Sequence, residues 1–453
     1  MKRSLVLILM LVDFALGAAD TNLALASESN VSTKAHIHLS INSESGVYGK
    51  GDTVKVFAIL ERPFDRPLSI RVNSSGKRIY TNNKFRVTSS DSSVVYSGCF
   101  NEACAVTVAV GDYDDRSSFK TIGFVVSPED FMPGFSEPKD LVEFWEKQID
   151  KLNKKKPRVK TKEIEHEDSD RYVCYDLEIS MPEGSPVRGY MAMPRDAVAS
   201  TLPIVLLPHP AGVAKPHCRS SVKTAVEWAK KGNGTIALDI NAHGFLNAQP
   251  QEYYDNLDAT TLKDYAKRPL VSHEEFYFRL MYLRLVRAMD YLTSLPQWDG
   301  KRALVVGESQ GAGQAGAIAA LDHRIGMVVM NVPALCDIGG VLNGHKGGWP
   351  AYYSQNVTTP ETKELSEAIL PYYDVALLLK YTKASIIMEC GLIDTVCSPE
   401  SVYSAYNNAL NSVSKTMLTY PRRPHHRVAK PYYKDWEKKV GNIRNSMIDS
   451  YLK

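Results

Sequence analysis

Ala303-Leu304-Val305-Val306-Gly307-Glu308-Ser309-Gln310-Gly311 runs without a break into Ala312-Gly313-Gln314-Ala315-Gly316-Ala317-Ile318-Ala319-Ala320-Leu321. The first four residues form a continuous apolar run, the mark of a parallel strand covered on both faces. The last ten are small and mostly apolar, and they predict a helix that packs closely against that strand. Between strand and helix stands a Gly-x-Ser-x-Gly turn. Gly307 and Gly311 permit a sharp reversal of the chain, which lifts Ser309 Oγ above the sheet. A bare Gly-x-Ser-x-Gly is a weak signal, but in this strand–turn–helix context it marks Ser309 as a candidate nucleophile. The plain alternative is a glycine-rich turn with an incidental serine.

Working outward, four more apolar runs read as buried parallel strands: Pro203–Leu207, Thr235–Asp239, Met327–Met330 and Ser385–Met388. A helix is predicted over about His273 to Ser294, with Tyr277, Met281, Leu285, Ala288 and Leu292 as its buried stripe. Alternation of strand and helix over residues 131–453 predicts a doubly wound, mostly parallel α/β sheet, the α/β-hydrolase arrangement. Residues 30–127 read differently. Short runs such as Thr53–Leu60 and Ala105–Val110 alternate polar and apolar residues, with turn signals such as Gly49-Lys50-Gly51-Asp52 between them. That pattern predicts a small all-β sandwich with a spacer or binding role, and its stretch Val47–Val54 resembles the second-strand region of immunoglobulin-like domains. After the turn-rich Pro128–Pro138, the residues Leu141, Val142, Phe144, Trp145, Ile149 and Leu152 share one helical face. The seven basic residues from Lys151 to Lys162 read as a solvated helix end or loop.

A serine hydroxyl needs a base, and the base needs an orienting carboxylate. In this fold the chain order is serine, acid, histidine. Downstream histidines are His323, His345, His425 and His426, and only the last pair lies in a loop near the C-terminus after the final strand signals. Asp394 follows the strand Ser385–Met388 on a loop at the same rim as Ser309, with Asp374 and Glu389 as rivals.

With those residues in hand, the chain resembles the acetyl xylan esterase/cephalosporin C deacetylase family, carbohydrate esterase family 7. The resemblance rests on Gly307–Gly311, on Gly391-Leu392-Ile393-Asp394 through Ser404-Ala405-Tyr406-Asn407, on Tyr420–His426, and on Phe144-Trp145. It covers about residues 131–453. It implies Ser309 as nucleophile, Asp394 as acid and His425 as base, with the amides of Gln310 and Ala211 as oxyanion donors. Pro424 and His426 stand where the family has Gly and Glu, so the choice between His425 and His426 stays open. Asn241-Ala242-His243-Gly244 replaces the family's Arg-Gly-Gln segment, and the oligomeric state stays open too. Trp349 and Tyr353, in an aromatic cluster with Tyr352, Tyr372 and Tyr373, are candidate sugar-stacking residues or simply core.

Composition narrows the function further. The chain has 453 residues, 54 basic against 51 acidic, a net +3 that offers no field for nucleic acid. Lys2 and Arg3 precede a short apolar run too brief to cross a bilayer, so residues 1–26 read as a signal peptide and the mature protein as periplasmic or secreted. Among seven cysteines none has metal-binding spacing, and Cys99 and Cys104 are close enough to join across a tight loop. His209 and His243 lack acidic or cysteine partners at ligand spacing, so no metal and no cofactor are expected. The reading is an exported serine esterase acting on acetylated saccharide. Its rivals are a serine peptidase of the prolyl oligopeptidase type and a non-catalytic carbohydrate-binding or surface protein.

Overall fold

The computed structural model describes residues 36–61, 64–87 and 92–453. The predicted signal peptide lies outside them. Residues 37–126 form eight strands: β1 (Ile37–Ile41), β2 (Val47–Tyr48), β3 (Thr53–Leu60), β4 (Leu68–Ser74), β5 (Lys77–Phe85), β6 (Ser93–Cys99), β7 (Cys104–Asp112) and β8 (Lys120–Val126). They assemble as two sheets, ordered β1-β3-β6 and β2-β8-β7-β4-β5. The alternation read in the sequence is the packing. Val54, Val56 and Ala58 of β3 turn inward, while Lys55 between them stays out. They share one core with Ile70, Val72, Val106, Val108 and Phe124 of the other sheet. Cys99 and Cys104 lie on strands of different sheets, and both are free thiols. The possible bridge between them is not formed.

The remaining strands are β9 (Val159–Glu163), β10 (Tyr172–Ile179), β11 (Val187–Pro194), β12 (Leu202–Pro208), β13 (Ile236–Ile240), β14 (Trp298–Glu308), β15 (Met327–Asn331), β16 (Ser385–Gly391) and β17 (Lys415–Tyr420). They make one sheet ordered β17-β16-β15-β14-β12-β13-β11-β10-β9. The six strands from β17 to β13 run parallel, and β11, β10 and β9 add antiparallel to one end. Continuous apolar runs suit the five of them inside the edge strand β17, because neighbouring residues face different cores. Ile204 and Leu206 point to a core shared with helices Leu141–Asn153, Tyr277–Thr293 and Gln310–Leu321. Val205 and Leu207 point to another, shared with helices Val222–Ala229 and Asn442–Leu452. Helices on both faces of a mostly parallel sheet define an α/β-hydrolase-like fold.

Two expectations are adjusted here. Part of the basic run is the edge strand β9, which the chain carries fully exposed. Its lysines are what an edge strand needs to discourage pairing with another chain. Val142 is exposed, and the helix Leu141–Asn153 instead buries Gln148 along with Leu141, Trp145 and Leu152. Gln148 Oε1 accepts from the buried Arg279 Nη1 at 3.1 Å. No helix of the described residues is long and apolar enough to cross a membrane.

Candidate active site

β14 delivers Ser309 at the carboxyl edge of the sheet, and the helix Gln310–Leu321 leaves from it. Ser309 has φ 55° and ψ −122°, a conformation that non-glycine residues rarely hold. Such strain costs about 1–3 kcal/mol and persists only where the surroundings enforce it. They do so here. Ser309 N–H donates to Asn331 O at 2.9 Å, and Ser309 O accepts from Gly313 N and Ala334 N, both at 3.0 Å. A Cβ on Gly307 would sit 2.2 Å from Gly311 backbone, and one on Gly311 would sit 2.3 Å from Pro208 O. Both positions of the turn are therefore closed to any side chain.

Asp394 lies on the loop after β16 and His425 on the loop after β17. His425 Nε2 is 2.9 Å from Ser309 Oγ, and His425 Nδ1 is 2.8 Å from Asp394 Oδ2. Asp394 Oδ1 accepts the amides of Val396 at 2.7 Å and Cys397 at 2.9 Å, which fixes the carboxylate plane. Ser309, Asp394 and His425 are 9%, 4% and 9% exposed, so the three form a largely dry row with Oγ at its end. His426 is exposed and stands edge-on to the His425 ring at 5.3 Å. Of the two adjacent histidines, His425 is the one that faces Ser309. The rivals do other work. Asp374 caps the helix Val375–Leu378 and accepts from the amides of Asp337 and Ile338. His323 is exposed, and His345 lies 3.4 Å from Asp337.

Glu389 is wrapped in a buried network that sequence reasoning missed. Arg423 Nε donates to Glu389 Oε1 at 2.7 Å, Arg423 Nη1 to the carbonyls of Pro424 and His425 at 2.9 and 3.2 Å, and Arg423 Nη2 to Glu308 at 3.3 Å. One guanidinium thus ties the residue before Ser309, the strand before Asp394 and the loop of His425 together. Trp436 Nε1 and Arg444 Nη1 complete the shell of Glu389 at 2.9 and 2.8 Å. The only hint in the sequence was the pair Arg422-Arg423 just ahead of His425.

The two residues read as oxyanion donors stand on separate elements. Gln310 is the first residue of its helix, where a backbone N–H has no acceptor within the helix. Ala211 lies on the loop after β12, and a second missed pair holds that loop. His209 Nε2 is 2.5 Å from Asp239 Oδ1, and its Nδ1 is 3.0 Å from His217 O. Because both ring nitrogens face acceptors, His209 is held as an imidazolium. Burial alone would lower its pKa, but the charge and hydrogen bond of Asp239, with help from His217 O, raise it overall. His209 O in turn accepts from Gln314 Nε2 at 3.2 Å, tying loop to helix.

His243 has the opposite character. Burial, with Arg284 and Arg268 nearby, pushes its pKa down to about 3, so it is a neutral ring beside the Tyr277 hydroxyl, 2.8 Å away. Trp349 is half-buried, with its ring 6.4 Å from that of Tyr265, whose hydroxyl donates to the Gln310 side chain. Tyr353 is buried, packs edge-on to Phe135 at 6.0 Å and donates to Glu367. Tyr353, with Tyr352 and Tyr373, is therefore in the core, and Trp349 is partly buried against the same core. Among the described residues, one group has metal-ligand spacing: Asp394, Cys397 and His425, with ligand atoms within 4.8 Å of one another. Asp394 and His425 already spend their facing atoms on each other. Burial pushes the Cys397 thiol well above its ordinary pKa, so it stays protonated and is a poor ligand.

Ser309 thus stands at a strained strand–helix turn of an α/β sheet, with an imidazole and a carboxylate aligned behind it. Residues 128–440 match the protein-family model for acetyl xylan esterase. The chain is 32% identical over 327 residues to acetyl esterase Axe7A of Xylanibacter ruminicola, an overlap of 70% of each protein. Its fold is similar to that of an acetyl xylan esterase from Paenibacillus sp. R4, with TM-score 0.57 and 21% identity over 72% of this chain and 98% of that one. The same holds for acetyl xylan esterase 1 from Thermoanaerobacterium sp. JW/SL YS485, with TM-score 0.58 and 22% identity over the same shares. The chain belongs to the acetyl xylan esterase family. It is a carboxylic ester hydrolase.

Proposed function

We propose that this protein is an exported serine esterase that removes acetyl groups from carbohydrate through an acyl-enzyme. Ser309 Oγ attacks the acetyl carbonyl while His425 Nε2 takes its proton, and Asp394 orients the imidazole and balances its positive charge. The amides of Gln310 and Ala211 receive the oxyanion, one such donor typically contributing about 3 kcal/mol to the transition state. His425 then gives the proton to the departing sugar oxygen. Water enters, gives a proton to His425 and attacks the acetyl-serine, releasing acetate and restoring the hydroxyl. No step calls for a cofactor. The single observation that carries this reading is the aligned row from Ser309 through His425 to Asp394, at 2.9 and 2.8 Å.

The substrate class follows from the family and from Axe7A, with the half-buried Trp349 as the surface for a sugar ring. Export follows from the charged and apolar N-terminal segment. The test is acetate release from acetylated xylo-oligosaccharides by the mature protein and by Ser309→Ala. We expect turnover by the parent and a loss of about 10⁴-fold or more in the variant. Turnover that survives in Ser309→Ala would overturn the nucleophile. Absence of acetate release by the parent, with an aryl acetate still cleaved, would overturn the carbohydrate substrate.

A further inference from the structure

The β-domain does not hang beside the esterase domain; it presses on the two loops that carry Asp394 and His425. Gly123 of β8 donates its N–H to Pro421 O at 2.8 Å, four residues before His425. A Cβ on the same glycine would sit 1.9 Å from Leu392 O and 3.0 Å from Ile393 Cγ2, the two residues before Asp394. Gly46 beside β2 closes on the same pair of loops, where a Cβ would fall 2.6 Å from Leu392 Cδ1 and 3.1 Å from Pro421 Cγ. Thr419 Oγ1 donates to Ser45 O at 3.0 Å, and the Arg422 guanidinium donates to Leu39 O. Lys439 pairs with Glu44 at 3.0 Å. Val125 of β8 and Ala105 of β7 pack into the esterase core alongside Leu392 and Cys397 rather than into their own. The two loops also touch each other, Ile393 N–H donating to Arg423 O at 3.3 Å. The family match begins at residue 128, so the contact comes entirely from outside the matched region.

We propose that the β-domain is a working part of the catalytic centre, its β2–β8 edge holding the Asp394 and His425 loops in register so that the rate depends on that contact. The proposal rests on the serine–histidine–aspartate reading above. A glycine backbone wedged against both loops leaves them no room to part, and the reacting atoms tolerate little error: a displacement of about 1 Å can cost on the order of 10²-fold in rate. The β-domain residues are positioning residues, since they reach the chemistry only through Asp394 and His425.

The experiment is Gly123→Ala in the full chain, whose new methyl must push the Leu392 carbonyl away. We expect kcat to fall about 10- to 100-fold with KM changed less than about threefold, since Gly123 meets only the loops that carry Asp394 and His425. A loosened Asp394 also supports the protonated base less firmly, so the acidic limb of kcat/KM should move from its parental position. A merely structural role would not move that limb. Gly76→Ala, at an exposed hairpin with φ +81° and nothing within 4 Å, strains the β-domain without touching the loops and should leave kcat and the limb in place. If Gly123→Ala does not accumulate as folded protein, the double variant Thr419→Val/Arg422→Met cuts two ties without overlap, and we expect the same two changes at about 3- to 10-fold. Folded Gly123→Ala or Thr419→Val/Arg422→Met with parental kcat and limb would overturn the proposal. Ser309→Ala assayed in parallel separates the failures: if it stays active, the triad reading falls and the proposal with it; if it is inactive while Gly123→Ala turns over normally, the positioning role alone falls.

Discussion

Ser309 was legible because glycines stand two residues to either side of it and its flanks are strand and helix; the strain and the close approach of the turn follow from that local sequence. Asp394 and His425 were legible from chain order. What sequence could not supply was the choice between His425 and His426, because adjacent residues differ only in where the loop points them. The His209–Asp239 pair was invisible for a related reason: its members are 30 residues apart and meet only when β12 and β13 pair. That pair gives a pH prediction. His209 titrates above its unfolded value of about 6.5, so its stabilisation is complete below that pH and is lost as pH rises through the higher folded value. His209→Gln should therefore destabilise the fold by about 3 kcal/mol at pH 6, since it leaves Asp239 buried without its partner, and by clearly less at pH 9. Urea unfolding at the two pH values checks it; an equal cost at both would mean the ring is not held as a cation.

At the scale of elements, the five apolar runs were found because parallel strands buried on both faces have no polar register to hide them. β17 escaped notice: its edge position leaves Lys415, Thr416, Met417 and Thr419 only partly buried, so the run looks amphipathic. β9 escaped because all five of its residues are exposed, and β10 because Asp176 and Glu178 interrupt its apolar residues. Arg423, on the loop of His425, fastens that loop to Glu308 of β14 and Glu389 of β16. Arg423→Met should lower kcat by about 10²-fold and cost about 2 kcal/mol, because it frees the His425 loop and takes one of its partners from Glu389, which keeps Arg444 and Trp436. Arg423→Lys should not rescue it, since an ammonium lacks the planar fork that reaches Glu389, Glu308 and two carbonyls together. Steady-state kinetics with thermal unfolding decide this; parental kcat in a folded Arg423→Met would show the loop holds itself.

For the whole molecule, composition and periodicity separate the all-β segment from the esterase domain but say nothing of how they meet. Gly46 and Gly123 look like ordinary turn and strand glycines until Leu392 and Pro421 are seen against them. A spacer or binding role is the natural reading from sequence, and the contact with the loops of Asp394 and His425 is visible only in the folded chain. The basic edge β9 lies at the far end of the sheet from β17, well away from that junction.

The most direct test of the account is to trap the acyl-enzyme. The protein is mixed with an acetyl ester, quenched in acid during turnover, digested and weighed peptide by peptide. The account predicts one acetyl group on the peptide that carries Ser309, and none in Ser309→Ala. An acetyl group on another residue during turnover, or rapid turnover with Ser309 replaced, would contradict it.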